Sequence, residues 1–423
     1  MDITFLFGII VFISAYAIII SEKIHRTVVA LAGAILMIIL GVINQKQAIE
    51  GIDFNTLGLL IGMMIVVGIA KDSGMFQYVA IWAAKISKGR PTQIFILLGI
   101  ITAVFSAVLD NVTTVLLMVP VIFVITNNLK INPIPFLIGT ILLSNIGGTS
   151  TLIGDPPNIL IGSAANISFN EFLINLAPIS ILVALVTIIL LYFWFRHSIT
   201  ASEEARASIL KFEPIEAITD RGLLYKSLIV IGLILLGFFT HSITHIEVAT
   251  IALAGAALLL ILTMNDPDEH LRNIEWTTLF FFIGLFVLVR GLEEIGVINM
   301  LAQSLLKLTN GNTAIMAIVI LWGSAVFSSV IDNIPFVATM IPLIKDIGML
   351  SDISLWPLWW ALALGADIGG NATIVGASAN VIVIGMAERE GYKIGFIDYF
   401  KVATPLTIVA LVICTAYMYL RYL

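Results

Sequence analysis

The sequence predicts an all-α polytopic membrane protein: two inverted repeats, each of five transmembrane helices plus one re-entrant hairpin, with discontinuous helices. Three observations predict it. The 423 residues are 60% hydrophobic and 11% charged, with a mean hydropathy of +1.09, more apolar surface than one or two soluble cores can hide. The chain aligns with itself at an offset of 222 positions. Polar, glycine-rich knots interrupt apolar runs at equivalent places in both copies, 145–158 and 367–380.

The first span, 3–21, follows Asp2 with no basic residue before it, so it reads as a retained helix rather than a secretory signal. Spans at 27–44 and 55–71 come next, then an amphipathic stretch at 75–89 ending in Lys85, Lys88 and Arg90. Two apolar pieces, 92–109 and 112–127, are broken by "DNVTT". A span interrupted by the first knot (133–165) and a last one at 172–195 complete the half. The solvated connector 196–226, with five basic and five acidic residues, separates the first repeat, 1–195, from the second, 227–423.

The duplication is explicit. "ALAGAILMIILG" (30–41) meets "ALAGAALLLILT" (252–263) with 8 of 12 identical, and "FSAVLDNVTTVLLMVP" (105–120) meets "FSSVIDNIPFVATMIP" (327–342) with 8 of 16. Asp53 finds Glu275, and after a five-residue insertion Pro178 finds Pro405. If the pieces around "DNVTT" enter and leave on one side, with the N-terminus outside, 16 of the 21 basic residues collect on the inner face, as the positive-inside bias requires. Five crossings per half is an odd number, so the copies lie upside down to one another and both chain ends are expected outside. Inverted repeats with broken helices are the architecture of secondary transporters.

Backbone at membrane depth leaves the helix only where protein or a water-filled cavity satisfies its freed amides and carbonyls. The two tips and two knots are therefore expected to converge near the midplane, where free carbonyls hold cations and helix N-termini attract electron-rich groups. The tips supply Asp110, Asn111, Thr113 and Thr114, then Asp332 and Asn333. The knots supply Asn145, Gly148, Thr149, Thr151, Asp155 and Asn158, then Asp367, Gly370, Asn371, Thr373 and Asn380. Gly147, Gly148, Gly369 and Gly370 are expected to allow close approach and positive φ. Pro156 and Pro157 suit the first turn of a restarting helix.

An ionised Asp at the bilayer centre costs roughly 3 kcal/mol on insertion scales, so four of them need a role. They ligate sodium, with Asp110, Asn111, Asp332 and Asn333 as its candidates, or they exchange protons. The competing role is capping a half-helix. Function outweighs capping at Asp110 and Asp332, where both copies keep the Asp-Asn pair. Capping outweighs function at Asp155, whose partner position is Ala377. Asp367, opposite Asn145, and the recurring Asn158 and Asn380 are balanced between the two. Cys414 alone rules out an internal disulfide or an intrachain thiolate cluster. Histidines 25, 197, 241, 245 and 270 fall between apolar runs, which argues against a buried histidine relay. His241 and His245 read more simply as exposed loop residues than as a surface metal pair.

These tips, knots and halves resemble the ion transporter superfamily, whose dicarboxylate–sodium symporters carry Ser-Asn-Thr tips. With tips reading "DNVTT" and "DNIPF" and a knot reading "GGTSTLIGDPPN", the sequence is most like the ArsB/NhaD branch of arsenite and antimonite pumps, sodium/proton antiporters and P protein-like permeases. The resemblance spans essentially the whole chain. It matches Asp110, Asn111, Thr113 and Thr114 to the first tip and Asp332 and Asn333 to the second, where Pro335 and Phe336 replace the Thr pair. It matches Asn145 to Thr151 and Asp367 to Thr373 to the unwound segments that complete two ion sites. It further implies a homodimer in the cell (plasma) membrane, a scaffold of early helices, and a sliding transport domain of hairpins and broken helices. It implies no cofactor beyond a coupling proton or sodium, and a separate ATPase subunit only for an arsenite pump.

No Arg, Lys or His lies in any tip or knot, whereas four Asp do. That balance favours a cation or a neutral solute such as arsenous acid over a doubly charged anion. Arsenite/antimonite efflux is the first expectation by family weight, then sodium/proton antiport, then sodium-coupled dicarboxylate or other anion transport. With no cysteine in the knots, arsenite would be held by hydrogen bonds. An intramembrane aspartyl protease needs one Asp pair sharing a proton and has no use for repeated Asp-Asn tips; a passive channel has none for paired, occluded hairpins. No glycine-rich ATP loop ending in Lys-Ser/Thr occurs, and nothing points to catalysis or to nucleic acid.

Overall fold

A computed structural model describes residues 3–21, 23–264, 267–272 and 274–423. Met1 and Asp2, and with them the reading of what precedes the first span, lie outside the described residues. The first half runs α1 (Ile3–Ser21), α2 (Arg26–Ile39), a short α3 (Gln45–Glu50), α4 (Phe54–Lys71), α5 (Met75–Ile86), the pair α6 (Pro91–Val108) and α7 (Asn111–Leu129), the interrupted helix α8 (Ile134–Gly148) and α9 (Pro156–Ala165), and α10 (Phe169–Phe195). A connector follows with α11 (Glu203–Leu210). The second half runs α12 (Arg221–Thr244), α13 (Val248–Thr263), α14 (Pro267–Leu271), α15 (Trp276–Glu294), α16 (Val297–Leu308), α17 (Thr313–Ser328) and α18 (Asn333–Leu350), α19 (Trp356–Gly369) and α20 (Ser378–Arg389), and α21 (Phe396–Arg421). All regular structure among the described residues is helical, and every helix of the first half has a counterpart in the second.

Local sequence sets the boundaries. Asp53 opens α4 by accepting the Asn55 and Thr56 amides at 3.0 and 3.2 Å, Ser168 and Glu171 form a reciprocal capping box on α10, and Pro91 occupies the first turn of α6, where a missing N–H costs nothing. Nine helices among the described residues are long and apolar enough to cross a bilayer. Length does not separate crossings from hairpin arms: α6 and α7 have 18 and 19 residues, about 27 Å at 1.5 Å per residue. The α6–α7 turn packs against the broken helix, where Asn111 reaches Asn145 and Asp155.

Contacts between the halves are reciprocal. Helix α4 packs on α13 while α15 packs on α2, and α9 packs on α18 while α20 packs on α7. Small residues make the first pairing close. A Cβ on Gly62 would stand 2.6 Å from the Ala252 carbonyl carbon, and one on Gly284 would stand 2.6 Å from that of Ala30. Such i-to-j, i′-to-j′ exchange has the form of a two-fold relation between the repeats. Exposed Ile, Leu and Phe side chains cover the outer faces of α1, α10, α12 and α13, as expected of surface that meets hydrocarbon rather than water.

The connector is mostly exposed, as expected, but it is anchored as well. Helix α12 begins at Arg221, so the connector is shorter than 196–226, and it docks on α5. Lys85 Nζ sits 2.8 Å from Glu213 Oε1, and the Thr219 amide donates to Ser73 O at 3.1 Å. Gly74, at φ +79°, is required there, since a Cβ would fall on the Ala217 carbonyl oxygen. The histidines also depart from expectation: His241 lies in the last turn of α12, its Nε2 accepting the Phe169 amide at 3.1 Å, and His270 is buried in α14.

Candidate functional site

The knots are shorter than the sequence suggested. Helix α8 runs on to Gly148 and α9 restarts at Pro156; α19 runs on to Gly369 and α20 restarts at Ser378. Asn145, Gly148, Asn158, Asp367 and Asn380 therefore sit in flanking helical turns, while Thr149–Asp155 and Gly370–Ala377 form the loops. Pro156 and Pro157 occupy the first turn of α9, as expected. The glycine expectation needs correction: Gly147, Gly148, Gly369 and Gly370 are not among the positive-φ residues. Their use is contact. A Cβ on Gly147 would stand 2.2 Å from Ala103 O, and one on Gly369 2.3 Å from Ala325 Cα.

Each loop is stitched to its hairpin in the same way. Ser106 Oγ donates to Ser144 O and Ser328 Oγ to Ala366 O, both at 2.6 Å. Thr151 donates to Ala107 O at 2.6 Å, and Thr373 donates to Ser329 O. Asn158 donates to Gly148 O and Thr151 O at 3.2 and 3.1 Å; Asn380 donates to Gly370 O and Thr373 O at 2.8 and 2.9 Å. Asn158 and Asn380 thus supply the loops' own carbonyls with the donors that the broken helices withhold, while Thr151 and Thr373 tie the loops to the hairpin carbonyls of Ala107 and Ser329. Thr149 bonds its own helix at Asn145 O, 2.8 Å away.

Where the loops meet, amides form a chain across both halves. Asn111 Nδ2 donates to Asn145 Oδ1 at 3.1 Å and to Asp155 Oδ2 at 2.8 Å. Asn145 Nδ2 donates to Asn371 Oδ1 at 2.9 Å and Asn380 Oδ1 at 3.0 Å. From the other tip, Asn333 Nδ2 reaches Asp155 Oδ1 at 3.4 Å. Both hairpin tips therefore converge on one carboxylate, and it is the candidate at which the sequence weighed capping above function. Asp155 makes no side-chain cap on α9; its side chain turns away from that helix to accept the two tip asparagines.

The aspartates at the tips behave differently. Asp110 caps α7, taking the Thr113 amide at 2.7 Å and its hydroxyl at 2.6 Å. Asp332 accepts the Ile334 amide at 3.2 Å and pairs with Arg26 at 2.8 Å. Arg26 comes from α2, far away in sequence, and corrects the picture of tips without a cation. Asp367 is fully buried, with the Asn158 amide and the Thr149 hydroxyl as the side-chain donors beside it, and the Thr114 hydroxyl is buried without a partner. Asp110, Asp332 and Asp367 all act electrostatically on Asp155, but Asp367 does not line the cavity between the tips. That cavity, about 70 Å³, is lined by Arg26, Asp110, Asn111, Asp155, Glu275 and Asn333 among others.

Sequence reasoning missed Arg26, Glu275 and Ser378. One signal was present: Arg26 faces Val248, and Ser378 faces Pro156, at the repeat offset, so both are departures from symmetry. Among the described residues, no three His, Cys, Asp or Glu side chains gather tightly enough to hold a metal ion. A cation in this cavity would be held by Asp155 together with amide and backbone oxygens, a donor set that suits sodium better than a transition metal.

A family model described as a citrate transporter matches residues 16–365. An uncharacterized transporter of Mycobacterium tuberculosis is 43% identical over 421 residues, covering 98% of each chain, and the 46 kDa membrane protein of Mycobacterium leprae is 42% identical with the same coverage. The P protein of Sus scrofa is 35% identical; the match covers 97% of this chain and 58% of that protein, in keeping with the expected kinship to P protein-like permeases. The YdaH transporter of Alcanivorax borkumensis has the same fold, with a TM-score of 0.63 at 13% identity over 99% of this chain and 98% of that one. On this footing the chain belongs to the citrate transporter family and is a multi-pass membrane transporter.

Proposed function

We propose that the protein is a secondary active transporter coupled to protons or sodium, with Asp155 as the coupling group. One observation carries the reading: a single carboxylate, buried between the repeats, takes one amide from each hairpin tip, so whatever binds it is felt by both halves. A cation or proton arriving there competes with the Asn111 and Asn333 donors and loosens the tips; its departure restores them. The inverted orientation of the repeats, a homodimer, residence in the cell (plasma) membrane and external chain ends belong to the same proposal.

For the cargo, sodium/proton exchange fits the cavity best. A cavity of about 70 Å³ holds a bare ion or a few waters, and its lining carries more acidic than basic side chains. Arsenite/antimonite efflux is the second reading, favoured by the amide chain, since arsenous acid is a neutral hydroxide that asparagines can bond. Cys414, the one thiol, is buried elsewhere. Sodium-coupled dicarboxylate transport ranks third on cavity size. Asp155 takes its hydrogen bonds from the Asn111 and Asn333 amides and not from a second carboxyl, an arrangement unlike an aspartyl protease dyad.

The test is a proteoliposome panel with imposed pH and sodium gradients, offering sodium, arsenite and succinate. We expect sodium movement driven by the pH gradient, with arsenite movement as the mark of the second reading. Flux indifferent to either gradient refutes coupling. For orientation, a tag in the connector should be cytoplasmic and a tag after Leu423 external; the reverse pairing of sides, or ends on opposite faces, refutes the inverted count.

A further inference from the structure

A second, more open cavity of about 310 Å³ lies beside the small one, lined by Ile24, His25, Arg26, Asp332 and Ser378 among others. Arg26 and Ser378 line both. With Ile382, which also lines both, they form the wall between the small compartment containing Asp155 and the larger, more open vestibule. The polar part of the wall is ionic. Arg26 NH1 lies 2.8 Å from Asp332 Oδ2 and 2.8 Å from Ser378 Oγ, and Ser378 itself donates to Asp332. The guanidinium also stacks over Phe281, its central carbon 4.9 Å from the ring centroid.

The wall joins three separate pieces. Arg26 opens α2, which packs on α15, and Phe281 belongs to α15. Asp332 is the tip of the second hairpin, and Ser378 is the first residue of α20. Separating the hairpin and α20 from α2 must break these bonds, which are the polar part of the wall between the two cavities. The first half supplies an internal control. Val248 stands where Arg26 would recur and Pro156 where Ser378 would, and there Asp110 turns inward to cap its own helix. Only one of the two equivalent positions carries a latch.

We propose that Arg26 is an ionic latch that closes the ion cavity to this vestibule, and that it opens when a cation takes its place on Asp332. The proposal rests on the coupled-transport reading, but its test does not use transport. In the full chain carrying Cys414→Ser, Met64→Cys places a thiol on the closed cavity and Ile24→Cys places one on the vestibule. Both are labelled with a bulky, charged maleimide in solubilised, monodisperse protein. Arg26→Gln is expected to speed labelling at position 64 about tenfold, the change that a latch worth about 1.4 kcal/mol gives, and to leave position 24 unchanged. Arg26→Asp combined with Asp332→Arg should bring the slow rate back. Ser378→Ala, which removes one of two acceptors, should speed labelling a few-fold and carries the test if Arg26→Gln fails to fold. Position 64 labelling at the wild-type rate in the folded latch variants overturns the latch; fast labelling without coupled flux in the parent chain would overturn the transport reading and leave the latch standing.

Discussion

In the first half, the loop between α8 and α9 ends in Asp155, and the helix before it carries Asn145. In the second half the equivalent positions are Ala377 and Asp367. The acid has changed places, and its surroundings have changed with it: Asp155 accepts from both tips, whereas Asp367 is enclosed beside Asn158 and Thr149 and takes nothing from either tip. Around this difference the frame is the same. The Ser106–Ser144 and Ser328–Ala366 bonds, the Asn158 and Asn380 staples, and the Gly147 and Gly369 contacts repeat at the 222-residue offset. Packing is a constraint each copy must meet by itself, because either loop collapses if its carbonyls go unpaired. Charge is shared by the two copies, because they meet at one place and one carboxylate there accepts from both tips.

The comparison breaks most sharply at Asp155. Asp155→Asn should leave the amide chain and the fold in place, since an asparagine oxygen still accepts from Asn111. It should lower gradient-driven flux about hundredfold, equivalent to about 2.7 kcal/mol. Near-normal coupled flux in proteoliposomes would remove Asp155 from its central role and with it the contrast between the loops.

The symmetric part is tested by glycine. Gly147→Ala and Gly369→Ala each push a methyl into backbone, which cannot swing aside. Each should cost about 1–3 kcal/mol, visible as a lower thermal midpoint in detergent, and the two losses should be similar. A large loss from one and none from the other would mean that the repeats differ in packing as well as in charge.

The tips give the finest contrast. Asp332→Asn strips Arg26 of its ion pair in a site where the two side chains are only 29% and 14% exposed, at a cost of about 1–3 kcal/mol. Asp110→Asn keeps an equally good N-cap and should stay within about 0.5 kcal/mol of the parent. Equal destabilisation by chemical or thermal unfolding would erase the distinction between a latched tip and a capped one.

The hairpin arms, the knots and the one-to-one correspondence of helices were legible because each has a signature along the chain: apolar runs of spanning length, a fixed offset, and glycine and proline where helices stop. The site was legible as a list of residues but not as a set of roles. Capping outweighs function for Asp155 in the sequence because the repeat puts Ala377 at its partner position, and its neighbours along the chain say nothing of Asn111 or Asn333. Arg26 opens α2 with no neighbour along the chain that marks it as the partner of Asp332.

What the sequence determined by itself was the periodic and the local: where helices form, where they break, and that the second half repeats the first. Hydrophobicity and helix-stop chemistry act between near neighbours, so they are written in one dimension. What only the tertiary structure decided was which acid receives the tips and which cation faces them. Asn333 and Asp155 lie 178 residues apart, and Arg26 and Asp332 lie 306 apart. Their pairing depends on how α2, α9 and α18 pack, and hydrogen bonds and ion pairs at that separation leave no periodic trace in the chain.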